Sequence, residues 1–281
     1  MLHPMAAPEG RKRSFHSLSF KGAHYRFCGA RVELLSRTIR RLRRELEQYI
    51  RRFPDFGSSL VPFTDIEELP AHPPESAIRM HRASLAVYTG TGGKFCVGPM
   101  AAVAGTFAEL SVEAALSSIS SNNPSAKDER DIVLENGGDI FMLLQRPVNI
   151  ALFAGSESPF AHLAFRVEPE VYHDAEPGRR EKKREGKAVC SSSGKMGHSL
   201  SFGSCDLATV FSRSASLADA AATALCNSVT SIDKMEEQIE RAWGIEGIDG
   251  AVAVYGDKLG RVGDVPALVR HDDPDLTLKI V

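Results

Sequence analysis

Asn136-Gly137-Gly138 stands between two apolar runs, 131–135 and 139–145, and this arrangement most narrows the folds open to the chain. Both glycines tolerate the positive φ that a two-residue hairpin turn demands. The two runs are therefore predicted as an antiparallel pair. Further strand-like runs lie at 148–154, 162–167, 188–191, 198–202 and 207–211, and near 249–255 and 275–280. Helical patterns interrupt them without a regular strand–helix–strand rhythm. That favours an α+β fold over a doubly wound parallel sheet.

Residues 14–35 read as two or three short strands, punctuated by Gly22 and Gly29. Ser36 is placed to cap a helix that ends before Pro54. Along it Ile39, Leu42, Leu46, Tyr49, Ile50 and Phe53 recur at three- and four-residue spacing, which predicts one buried face. Arg37, Arg40, Arg41, Arg43, Arg44, Arg51 and Arg52 fill the rest of the helix. They form either an anion patch or a solvated face partly neutralised by Glu45 and Glu47. The whole chain has 34 Lys plus Arg against 36 Asp plus Glu, a formal net charge of -2. No aromatics interleave the arginines, so the solvated face is favoured and no nucleic-acid partner is expected.

Residues 54–74 read as an irregular connection, and 75–90 as a helix followed by a short strand. Small-residue helices are expected at 99–118 and 216–227, and their resemblance leaves open two similar α+β halves. Thr230 and Asp233 have capping-box spacing for a last helix that reaches Trp243. The charged stretch 178–187 reads as an exposed loop, and residues 1–13 as a disordered N-terminus. Neither contains an apolar run of the roughly 18 residues that a bilayer span needs, nor does the rest of the chain. The five cysteines, Cys28, Cys96, Cys190, Cys205 and Cys226, form no CxxC pair. They read as reduced thiols in a cytoplasmic protein with no membrane partner.

Three segments carry candidate chemistry. In Glu135-Asn136-Gly137-Gly138-Asp139 the glycines serve either a bare hairpin turn or a backbone that a ligand approaches closely. In Cys190-Ser191-Ser192-Ser193-Gly194-Lys195-Met196-Gly197-His198 small residues allow several N–H groups to converge on an anion as a phosphate nest. A flexible serine-rich turn has the same composition. In the third segment, 214–225, Asp219 and Thr223 are four apart and share a helix face. Two such oxygens suit a hard cation such as Mg. Alternatively Asp219 sits in the first turn of its helix and favours the helix dipole.

Together these segments, in this order, resemble the flavin transferase family ApbE. That family has a GGD or GGE turn, a TSG strand, an HIIDP segment and a terminal ADALATAL helix. Its early AIAKG segment is similar to Ala101-Ala102-Val103-Ala104-Gly105. GPMAAVAG, ENGGDI and GHSLSFG look closer to the ApbE-like branch of anaerobic bacteria and methanogens. The resemblance covers roughly residues 95–230. It implies two related α+β subdomains, about 14–130 and 131–281, packed as one compact unit. It implies Mg held by Ala101, Asp219 and Thr223. It implies FAD or FMN lined by Gly137, Gly138, Asp139, Ser192, Ser193 and Gly194, with His198 at the family's HIIDP histidine as a catalytic residue. The family's monomers and dimers leave a homodimer open.

The chain departs from the pattern at defined places. Ala104 replaces the lysine of AIAKG, and His198-Ser199-Leu200-Ser201-Phe202 replaces HIIDP. The family's secretion signal and lipid-anchoring cysteine are not matched. The leading expectation is a Mg-dependent enzyme acting on a flavin or related nucleotide. The resemblance to the anaerobe branch implies a second expectation, a role in sulfur assimilation, from sulfide to homocysteine, with a sulfur metabolite as partner. There Cys190 is either a reactive thiol, its pKa lowered by nearby N–H donors and Lys195, or a buried inert cysteine, and the inert reading is favoured. A third is a non-catalytic scaffold on the same fold.

Overall fold

The computed structural model describes residues 13–64, 69–119, 131–170, 186–194 and 205–271. Among these, eight strands form one antiparallel sheet in the order β1-β2-β3-β4-β7-β8-β9-β10. They are β1 His16–Phe20, β2 Ala23–Cys28, β3 Ile132–Asn136, β4 Asp139–Leu143, β7 Lys187–Ser192, β8 Leu207–Ser212, β9 Ile248–Tyr255 and β10 Lys258–Gly263. A second sheet has the order β11-β6-β5, from Ala267–Arg270, Leu163–Val167 and Val148–Ala151. The helices are α1 Val32–Arg52, α2 Pro54–Ser58, α3 Glu75–Gly90, α4 Val103–Ser117, α5 Ala215–Ser228 and α6 Ile232–Trp243. A 3-10 turn, Pro99–Ala102, leads into α4.

Alternation along the strands divides the core in two. Ile132, Leu134, Phe141, Ala188, Cys190 and Val210 point into a core shared with the helices. Their neighbours Val133, Ile140, Met142, Val189 and Phe211 point the other way, against Ile150, Phe165 and Val167 of the small sheet. Phe165 and Phe211 meet edge-on at 5.0 Å between the two sheets. The large sheet is thus covered on both faces, which is why β3 and β4 read as nearly unbroken apolar runs. The α+β expectation holds. The sheet crosses the expected boundary between halves, because β2 pairs directly with β3.

The helix boundaries differ from expectation where packing outweighs caps. Helix α1 begins at Val32, one turn before Ser36, from an Arg31 with φ 67 and no side-chain cap. Leu35 extends the buried stripe of Ile39, Leu42, Leu46 and Tyr49 by that turn, and its burial offsets the missing cap. The arginines occupy the outer faces as a solvated surface. Arg41 pairs with Glu45, Arg51 with Glu47, and Arg40 and Arg44 lie over Phe20. Helix α3 runs through Gly90 with no strand, since Ala77, Met80, Ala83, Ser84 and Val87 keep helical spacing. Helix α6 is capped from Ser231, without a side-chain cap bond, so the Thr230–Asp233 capping box does not form.

Other expectations are refined. The 54–74 connection contains the one-turn helix α2. Strands β10 and β11 were not foreseen, being short, half-exposed and interrupted by Gly260 and charged residues. Pro99–Ser117 is long and apolar enough to cross a membrane by length and composition, contrary to the sequence count, and half of it is buried inside the protein. Arg13, expected in a disordered terminus, is tied to Asp131 and to the carbonyls of Arg146 and Pro147. Residues 1–12, most of the 178–187 loop and the strands expected at 198–202 and 275–280 lie outside the described residues.

Candidate functional site

The register of the large sheet places Tyr25, Asn136, Asp139, Cys190, Val210 and Ala251 in one row, each opposite the next. Opposed residues share a face. In this row it is the face covered by α4 and α5, and its middle is polar. The hairpin at Gly137 and Gly138 has φ 64 and 104, a left-handed backbone that favours glycine at both positions. Gly137 has open space around its α-carbon. The turn reading of this motif is therefore correct, and one of its glycines also leaves the backbone approachable. Asn136 Nδ2 donates to the carbonyl of Ala104 at 3.2 Å, which joins the turn to the start of α4.

Helix α4 lacks a cap of its own, because its N-cap residue is Ala102. The carboxylate of Asp219 supplies one from α5. Its Oδ2 accepts the Gly105 N–H at 2.8 Å, and the Ala104 N–H also bonds to the carboxylate. Asp219 is the fifth residue of α5, beyond its first turn. The dipole it serves is that of α4, not that of its own helix. The approach needs Gly105: a Cβ there would lie 2.1 Å from the carbonyl oxygen of Ala215 and 2.8 Å from Asp219 Cβ.

Asp139, Cys190 and Asp219 converge beneath this crossing. Burial, then the nearby Asp219 carboxylate, pushes the Asp139 carboxyl well above the usual range, against bonds from the Cys190 thiol and the Ser191 N–H. Asp139 Oδ1 is buried and has no hydrogen-bond partner. Burial also raises Asp219, to about 7, against the pull of the Gly105 and Ala104 N–H groups. Two buried carboxyls side by side, one with a free oxygen, resist ionising together, and a cation that displaced their protons would relieve that cost. Among the described residues no three His, Cys, Asp or Glu side chains group as a metal centre. A hard cation here would therefore draw on one or two carboxylates, hydroxyl and carbonyl oxygens, its own waters and substrate oxygens. Mg favours such a donor set.

At Cys190 the structure agrees with the favoured inert reading and not with a low thiol pKa. It lies inside β7, fully buried, with Sγ 3.5 Å from the Ala215 carbonyl. Burial, then Asp139 and Asp219, pushes the thiol well above its ordinary value. The Ser191 N–H bonds to Asp139 rather than to the sulfur, and the Asp139 and Asp219 carboxyls act on the thiol. A thiolate nucleophile is disfavoured here.

Thr223 lies one turn beyond Asp219 on α5, half-buried. Ala101 lies half-buried in the 3-10 turn that packs against α5. Ser192 is the last residue of β7, two beyond the Cys190 that pairs with Asp139, and Ser193 follows the strand. The Gly194 N–H donates to the Cys205 carbonyl at 3.0 Å, so it is not open to an anion. Lys195 and His198 lie outside the described residues. Two residues of this site were not singled out from the sequence. Asn136 was inside the ENGGD motif but read only as a turn residue. Glu109 is the lone acid among the small residues that open α4, and it binds the start of α5.

A family model described as AbpE bacteria matches residues 26–245. The chain is 36% identical over 246 residues to a UPF0280 protein of Methanococcus maripaludis strain C6, covering 87% of each. It is 37% identical over 233 residues to a UPF0280 protein of Methanocaldococcus jannaschii, covering 82% of this chain and 81% of that one. Among solved structures, the apo flavinyl transferase ApbE of Pseudomonas stutzeri has a TM-score of 0.55 at 14% identity, covering 90% of this chain and 94% of that one. The ApbE protein of Thermotoga maritima has a TM-score of 0.51 at 12% identity, covering 92% and 97%. At such identities the likeness is one of fold.

Proposed function

The chain belongs to the family described as AbpE bacteria, and on that premise we propose that it is a Mg-dependent enzyme acting on a flavin nucleotide. The observation that carries this reading is the buried Asp139–Asp219 pair, with Asp139 Oδ1 left without a partner. Asp219, Thr223 and the carbonyl of Ala101 would hold the ion, with Asp139 as the second carboxylate. When bound, Mg neutralises a diphosphate and polarises the phosphorus–oxygen bond that breaks.

The chain's own groups do the rest. The α4 N-terminus, through the Ala104 and Gly105 N–H groups, holds Asp219 in one orientation. The hairpin at Gly137 and Gly138 lets a nucleotide approach the backbone, and Ser192, at the end of the neighbouring strand, and Ser193 after it would line that nucleotide. Asn136 fixes the hairpin to α4 and so sets the distance between these parts. The burial of Cys190 with a raised pKa gives no support to a sulfur-transfer reading through this thiol.

Isothermal titration with FAD and with FMN, each with and without Mg, tests the proposal. Wild type is expected to bind FAD in a Mg-dependent manner, and Asp219→Ala to lose at least about tenfold in affinity, roughly 1.4 kcal/mol. Equal behaviour of wild type and Asp219→Ala, or no binding by either, would overturn it.

A further inference from the structure

Glu109 is buried on α4, one turn beyond Gly105. Its Oε2 accepts three hydrogen bonds, all from the start of α5: Ser216 N–H at 2.9 Å, Ser216 Oγ at 2.8 Å and Ser214 Oγ at 3.1 Å. Ser214 is the N-cap of α5, and its Oγ accepts from Leu217 N–H. Thr106 Oγ1 donates to Ser216 Oγ at 3.0 Å and completes the chain. Arg79 Nη1 lies 3.4 Å from Glu109 Oε1 and offsets the cost of burying the carboxylate. A carboxylate at a helix N-terminus meets both free N–H groups and the positive end of the dipole.

The two helices therefore cap each other. Asp219 of α5 caps α4, and Glu109 of α4 caps α5. Ser216 lies three residues before Asp219, on the same side of α5. Where Ser216 is held, the carboxylate of Asp219 is held with it.

We propose that Glu109 is the positioning residue of the site: through Ser214 and Ser216 it fixes the rotation and depth of α5, and so sets the carboxylate of Asp219. The inference rests on the proposed function only for its effect on ligand. The reciprocal capping stands without it.

The test uses the full chain as wild type, Glu109→Gln, Glu109→Asp and Ser216→Ala. Amide hydrogen exchange of Gly105, followed by NMR, reports the Gly105–Asp219 bond directly. Titration of FAD with Mg reports the site. Glu109→Gln is expected to speed Gly105 exchange by about tenfold and to weaken FAD binding in Mg by about tenfold. Glu109→Asp is expected to restore part of both. If Glu109→Gln does not fold, Ser216→Ala decides, with a smaller change in the same direction.

A fall in melting temperature with Gly105 exchange unchanged would leave Glu109 a stabilising residue only and overturn the proposal. If wild type itself does not bind FAD with Mg, the proposed function fails, and Gly105 exchange still decides the role of Glu109.

Discussion

Gly105 donates its N–H to Asp219 Oδ2 at 2.8 Å and at the same time has no room for a side chain. The two facts have one cause, the close crossing of α4 over the start of α5. A Cβ at position 105 would meet the Ala215 carbonyl oxygen at 2.1 Å, and a backbone atom cannot swing aside as a side-chain tip does. Gly105→Ala is therefore expected to cost about 3 kcal/mol, although alanine favours helices. Urea unfolding measures the cost. A variant as stable as wild type would show that the helices separate easily.

Cys190 is expected to be inert in the native protein. It is fully buried, and two carboxyls raise its thiol pKa. Cys96 is the exposed cysteine, while Cys28, Cys205 and Cys226 are buried. Iodoacetamide at neutral pH should label Cys96 in the folded state and Cys190 only after denaturation, as peptide mass spectrometry would read. Labelling of Cys190 at the rate of Cys96 would mean that the site opens to solvent.

These two residues also show what the sequence could reveal. The hairpin at Gly137 and Gly138, the helix carrying Asp219 and the α+β class were legible, because turn chemistry and apolar spacing are local signals. The partner of Asp219 was not. Its carboxylate caps a helix 114 residues away in sequence, and no local pattern marks a cap donated by another element. The reactive alternative for Cys190 failed for the same reason. Its neighbours in sequence are hydroxyls and N–H donors, but the pleat turns its sulfur toward Asp139 and Asp219. The start of α1 was misplaced because Leu35 packs into the core while Ser36 only resembles a cap.

The raised carboxyls fix the sign of a pH dependence. Asp219 has a folded pKa of about 7 against an ordinary value of 3.8, and Asp139 is raised as well. Between those values the folded state binds more protons than the unfolded state. Their contribution is fully present below about pH 4 and lost as pH rises through about 7. In metal-free buffer the melting temperature of wild type, relative to Asp219→Asn, should fall over that window. Added Mg should reduce the fall, since a cation favours the ionised pair. A difference between the two proteins that does not vary with pH would contradict the raised values.

Asp131 acts with the opposite sign. Burial alone would raise its carboxyl, but bonds from Arg13, the Gln145 N–H and Arg146 hold it below the ordinary value. Arg13 reaches both oxygens, at 2.9 and 2.8 Å, with both partners largely buried. Its stabilisation is present above the ordinary carboxylate pKa and is lost as pH falls through the lower folded value. Asp131→Ala leaves Arg13 partly buried without its carboxylate, and a cost of about 3 kcal/mol is expected at neutral pH. Asp131→Asn keeps the acceptor oxygen without the charge and should cost less. Urea unfolding at pH 7 and again near pH 3 separates the cases, because the penalty of Asp131→Asn should shrink at the lower pH. A penalty equal at both would mean that packing, rather than the charge of Asp131, holds this end of the sheet.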